Sequence, residues 1–549
     1  MAKMLAQDGF NRGEGDRADL IAGVTAISLF PPLSLLFGVL VLSALVASSC
    51  SSKPSDLRTL VPADTLIYLE TNDLAAAVQP IVDSKPFTEV AKYKPDLSAI
   101  GGVQLAVAVT GFEMTEEKLT DDQSVGNIRP HFVAIADTHA WSWQALGFAE
   151  KKLGSFVEDI YDSEPDLIKS DKFGGKYFTW TAKDGRKAYA LVLDSMIYFG
   201  NDEASIDKCL AVKRGEADSI AKTGKVPATD PNALAFGYVG PDGIAQLANI
   251  IGLKIASETA EESEVQSAVA GILPQLLRKS ITEISWGATK TKEGIEDEYL
   301  ISMSASVSNV LSETFAPGAP AETELFAHLS DVPSVTRYNL KNPQIAWRSL
   351  LLILQSQTDP LAGKIIGEVS KAFFEPYGIR DPDGFLGSVN SNILTGRVDD
   401  EGEKPFVIAT TRDKDSVMKS IVPITPPTSP TDEGISFWRS QDNEIEAVFR
   451  GNVIMLGCTE GVESGFMGGG TPAKELFVKM QGSVASITTV GRDGSTEGVV
   501  DLLSEKKFDD SKTKATYYTE TRFTKTGIER RTVSDFGLIG SIIAQLNSN

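Results

Sequence analysis

The chain has 549 residues, 42% hydrophobic and 23% charged, an ordinary globular composition that can fill sizeable cores. That length exceeds one ordinary domain and predicts two to four. A formal net charge of −22 argues against a nucleic-acid partner, which needs basic patches to displace counterions, and against lying flat on anionic lipid.

The first element is an apolar run, Leu33 to Val46, followed by Ala47-Ser48-Ser49-Cys50 and then the polar Ser51-Ser52-Lys53-Pro54-Ser55-Asp56. Its fourteen residues are fewer than the roughly 20 that span a bilayer as a helix, and Pro31-Pro32 interrupts any extension towards Leu20. A short apolar segment, small residues and a cysteine resemble the signal peptide and lipobox of bacterial lipoproteins. Two features depart from that family. Residues 1–19 carry Lys3, Arg12 and Arg17 against Asp8, Glu14, Asp16 and Asp19, where a basic region is usual, and Ala47 stands where leucine is commonest. The resemblance implies removal of residues 1–49, acylation of Cys50 and attachment to the membrane through three lipid chains. With Ser51 next, it implies the outer membrane of the cell envelope. An uncleaved membrane anchor is the rival reading.

Residues 50–58 then form a lipidated tether. The rest reads as two copies of one pattern, a first lobe over 59–312 and a second over 323–549, joined by a Pro/Ala-rich linker at 313–322. Thr110-Gly111 answers Thr395-Gly396, and Pro130-His131 answers Pro405-Phe406. Trp180 answers Trp438, Gly200 answers Gly457, and Thr291-Lys292-Glu293-Gly294-Ile295-Glu296 answers Thr524-Lys525-Thr526-Gly527-Ile528-Glu529. Alternating runs joined by tight turns, such as 189–201 and 286–304, predict strands. Apolar periodicity predicts helices near 73–83, 140–153, 202–213, 241–253, 262–278, 342–356 and 472–480. The expected fold is α+β: two tandem related lobes, each a largely antiparallel sheet with helices on one face. Val61-Pro62-Ala63-Asp64-Thr65 followed by Tyr68 and a helix resembles a family of bacterial envelope proteins catalogued only as a domain of unknown function. That resemblance brings no catalytic residues.

Motifs that carry chemistry are sparse. Cys209 and Cys458 read as buried small hydrophobes rather than a disulfide pair. His131 and His139 would lie about 27 Å apart on an extended strand, too far for one metal, and His328 is the third histidine. Ser416-Val417-Met418-Lys419 and Lys525-Thr526-Gly527 match outer elements of penicillin-binding enzymes, but the second aligns with the hairpin turn Lys292-Glu293-Gly294. The Gly465–Pro472 stretch reads as a helix-entry loop, and Asp381-Pro382-Asp383-Gly384 as an ordinary turn. No catalytic, cofactor or metal residues are assigned. Trp141 and Trp143 have no counterpart in the second copy; core packing is favoured for them, but they are the aromatics to consider for contact with glycan, lipid or protein. The expected role is a non-enzymatic binding or scaffold function, with the cleft between the lobes as its site. A periplasmic hydrolase with a carboxylate site and a carrier of lipid or another apolar ligand are the alternatives.

Overall fold

The computed structural model describes residues 55–118, 124–161, 163–228, 230–258, 264–319, 323–326, 329, 332–358, 360–398, 404–426, 436–466, 474–507 and 514–546. The apolar run, Cys50, His328 and most of the Gly465–Pro472 stretch lie outside them. The first ten strands are β1 (Ile67–Thr71), β2 (Gln104–Lys118), β3 (Ser124–Asp137), β4 (Asp166–Lys172), β5 (Gly175–Thr181), β6 (Lys187–Leu193), β7 (Met196–Gly200), β8 (Ala235–Val239), β9 (Ile281–Lys290) and β10 (Ile295–Met303). Ten more follow: β11 (Ser334–Asn339), β12 (Val389–Arg397), β13 (Pro405–Thr411), β14 (Ile424–Thr425), β15 (Ser436–Ser440), β16 (Ile445–Arg450), β17 (Val453–Cys458), β18 (Ile487–Asp493), β19 (Ala515–Phe523) and β20 (Gly527–Ser534).

Every pairing is antiparallel, and the ladders link all twenty strands into one sheet. Across the first ten, the order is β4-β5-β6-β7-β3-β2-β1-β8-β9-β10. Read from its own far edge, the second set runs β14-β15-β16-β17-β13-β12-β11-β18-β19-β20. The two orders correspond strand for strand. Register follows too: Gly111 stands opposite His131, and Gly396 opposite Phe406. Trp180 and Trp438 each face an alanine, Ala188 and Ala447.

Separate lobes are not what the sheet forms. β10 and β20 pair directly, from Ile295 opposite Ser534 to Ser302 opposite Gly527. Glu298 opposite Arg531 lies at the middle of a self-complementary ladder, since Ile295 and Ile301 face the counterparts of each other, Ser534 and Ile528. This is the geometry of a two-fold interface, here within one chain. Helices reinforce it by crossing over. Helix Ala305–Thr314 follows β10 but packs with helix Pro343–Ser356 through Leu311 and Ala346. Helix Gly537–Leu546 follows β20 but buries Ile539 and Ile543 against Ile81 and Ile295. The described part of the linker candidate, 313–319, is pinned: the Gly318 N–H donates to the Asn339 carbonyl, and Lys341 N–H to that of Ala316.

In the first half helices cover both faces of the sheet, not one. On β2, Leu105, Val107 and Val109 enter one core with Leu153, Phe156 and Trp180. Ala106 and Ala108, pointing the opposite way along the same strand, join Ile206, Cys209 and Leu210 of helix Glu203–Lys213. The predicted helices arise where side chains cap them: Asp73, Asp202 and Asn342 accept from the N–H groups of Ala76, Ser205 and Ile345.

Candidate binding site at the junction of the two halves

Where β10 meets β20, one face of the sheet carries no helix among the described residues. Thr289, Glu298, Glu529 and Arg531 are exposed there, while Ile295, Asp297 and Ile301 on the other face are buried. Beside this ladder is an open cleft of about 490 Å³ lined by both halves, including Glu293, Glu296, Lys479, Ser483, Tyr518, Glu520 and Arg531. The expected cleft between lobes is therefore a recess on a continuous sheet, floored by a hydrogen-bonded ladder.

Its charges are partnered. Lys479 Nζ lies 2.5 Å from Glu293 Oε2, and Arg531 pairs with Glu296. Glu520 Oε1 accepts from Ser483 Oγ at 2.6 Å and from the Tyr518 hydroxyl at 2.8 Å. The hydrogen bond from Lys479 holds the Glu293 carboxyl below the usual range. Burial pushes Glu520 upward, but the bonds from Ser483 and Tyr518 and the nearby Arg522 and Arg531 bring it below the usual range. Both carboxylates are thus ionised acceptors at neutral pH rather than proton donors. Val533 gives the lining an apolar component, and Val478 and Val484, next in sequence to Lys479 and Ser483, are exposed at 66% and 68%. Sequence reasoning missed these residues, because the strands that supply them are brought together by pairing more than 200 positions apart. The repeated hairpin turns at 291–296 and 524–529 were the available signal.

Directly beneath Ser483 lies Arg337, fully buried and without a carboxylate. Its Nε donates to Asn392 Oδ1, and Nη1 to the carbonyls of Met480 and Ser483, each at 2.8 Å. It fixes the turn that presents Ser483 to the cleft. On the opposite face, Asp297 accepts from Trp286 Nε1 at 2.8 Å and from the Leu538 N–H at 2.9 Å, holding the start of the crossed-over C-terminal helix. Burial pushes its carboxyl up to about 6.

The residues singled out from sequence are dispersed. Trp141 and Trp143 are not core: they are exposed at 74% and 70%, at the start of helix Ser142–Phe148. The apolar face of that helix and the π turn after it, with Ala145, Ala149 and Leu153, is buried. Behind this helix is an apolar void of about 30 Å³, room for roughly one water, against the roughly 300–1,000 Å³ of ligand pockets. His131 lies 3.6 Å from Glu113 and from Asp202, whereas His139 contacts Asp137 and Gln104; the two histidines share no site. Among the described residues, no group of three or more His, Cys, Asp or Glu side chains is placed to hold a metal.

Ser416 donates to Asp413, the cap of helix Lys414–Ser420, and Lys525-Thr526-Gly527 is a hairpin turn as read from the repeat. Asp381 accepts from the Gly384 N–H, so the expected ordinary turn opens helix Pro382–Ser388. No disulfide joins Cys209 and Cys458; Cys209 is buried, which pushes its thiol up to about 12, and Cys458 is half-buried.

No family model and no curated protein matches the chain. Among solved structures, crystal forms I, IV and III of TP0453 align at 9% identity, with TM-scores of 0.23, 0.21 and 0.21. They cover 41–42% of this chain and 96–99% of their own, a likeness too slight to bear on fold or function.

Proposed function

We propose that this is a cell-envelope lipoprotein, held to the outer membrane through acyl chains on Cys50, with a non-enzymatic binding or scaffold role centred on the junction cleft. In this reading the two halves are tandem related units, residues 59–312 and 323–549, fused edge to edge. The matching strand orders and the self-complementary β10–β20 ladder support that relationship. The single observation that carries the binding role is the geometry of the cleft, an open recess of about 490 Å³ lined by both halves. Glu293 and Glu520 are held there as hydrogen-bond acceptors by Lys479, Ser483 and Tyr518, which suits them to meet polar groups of a partner. The partner implied is another envelope component with basic or hydroxyl-bearing groups and a small apolar edge to meet Val533.

A photo-crosslinking residue placed at exposed Lys292, on the cleft rim, tests this in native membranes. The expected result is a discrete adduct that Glu520→Gln and Lys479→Ala weaken, with none from the same probe at Lys213. Adducts that are equal at both positions, or insensitive to the cleft substitutions, contradict the binding reading.

A further inference from the structure

We propose that the Trp141–Trp143 end of the molecule is a second membrane contact, seated in the headgroup–acyl interface of the bilayer that carries Cys50. The inference rests on the acylation of Cys50 proposed above and adds where the body of the protein lies.

The argument starts at the tether. Ser55 is fixed where the chain enters the fold: its N–H donates to Gln104 Oε1 at 2.7 Å, and its hydroxyl to Asp137 Oδ2 at 2.9 Å. Gln104 Nε2 returns a bond to the Ser55 carbonyl at 3.0 Å. Gln104 and Asp137 are themselves buried, so this is a firm socket. Ser55 is five Cα steps from Cys50, so at about 3.5 Å per step the acylated position stands no more than roughly 18 Å from the socket.

The tryptophans emerge from the same socket. Asp137 Oδ1 accepts from the His139 N–H at 3.1 Å, and a His139 ring nitrogen lies 3.0 Å from Gln104 Oε1. Trp141 is two residues beyond His139, at most roughly 7 Å along the chain. Its N–H donates to Gln144 Oε1, which fixes the start of the helix that presents Trp143. The point where the chain enters the fold and the aromatic pair therefore lie close together, within one bilayer's reach.

Chemistry selects the occupant. An indole combines a large apolar body with one N–H, the combination that favours the membrane interface over bulk water. The attraction is assigned to the indoles and not to charge, in a chain that is strongly acidic overall, so docking requires no anionic headgroup and resists salt. A protein partner at the pair is the competing outcome.

The test reconstitutes the full acylated protein into zwitterionic phosphatidylethanolamine–phosphatidylcholine vesicles brominated near the top of their acyl chains. Flotation reports anchoring, and tryptophan emission reports contact. Wild type is expected to float with part of its emission quenched, and Trp141→Ala/Trp143→Ala to float equally with the quenched fraction reduced about threefold or more. Reduced access of aqueous acrylamide on moving from detergent into vesicles should show the same contact without any substitution. Protein that floats with neither quenching nor acrylamide protection overturns the second contact while leaving the anchor intact. Protein that does not float overturns both.

Discussion

At the residue scale, the two halves of the sheet place corresponding side chains unequally. Trp180 is 1% exposed, stacked on Phe178 and edge-on to Phe199, whereas its counterpart Trp438 is only half-buried. Trp180→Ala should cost about 3–5 kcal/mol in chemical unfolding, and Trp438→Ala clearly less. Equal losses would contradict the packing asymmetry. Asp297 supplies a pH signature. Its folded carboxyl titrates near 6, above the ordinary value near 3.9 of an unfolded aspartate. Its contribution to stability is therefore full below about pH 4 and is lost as the pH rises through about 6, because the unfolded chain releases its proton first. Asp297→Asn should flatten that part of the stability–pH curve. An unchanged slope would show that Asp297 is not a source of it.

At the scale of elements, the two junction hairpins carry the same backbone device. Gly294 and Gly527 have φ of +136° and +149°, and Thr291 and Thr524 each donate their N–H to the glycine carbonyl at 2.8 Å. An added Cβ would stand 2.3 Å from the Ser534 carbonyl oxygen at one site and 2.0 Å from that of Ile301 at the other. Either glycine-to-alanine change therefore strikes the partner half's strand. Each should lower stability by about 1–3 kcal/mol or more, read as a shift in urea midpoint. A loss confined to one site would contradict the symmetry of the ladder. These turns were legible in the sequence because a Thr-x-x-Gly phrase and a φ requirement are local, as were the caps Asp73, Asp202 and Asn342. The β10–β20 ladder was not, because alternating strands state which face is buried but not which distant edge they meet. Trp141 and Trp143 misled for a related reason. Tryptophan is usually well buried, and only the placement of the helix start shows these two facing out.

At the scale of the whole molecule, sequence reasoning recovered the α+β class, the antiparallel pairing and the repeated motif order, but divided the chain into lobes that the structure fuses. Helix exchange and the central ladder make the twenty strands one platform, with the cleft on its uncovered face and Ser55 marking where the tether enters. The envelope placement and the second membrane contact both depend on its being tethered at Cys50. The most direct measurement is metabolic labelling of cells with a palmitate analogue, comparing wild type with Cys50→Ser. The account predicts label on the wild type and none on the variant; equal labelling, or none on either, would contradict it.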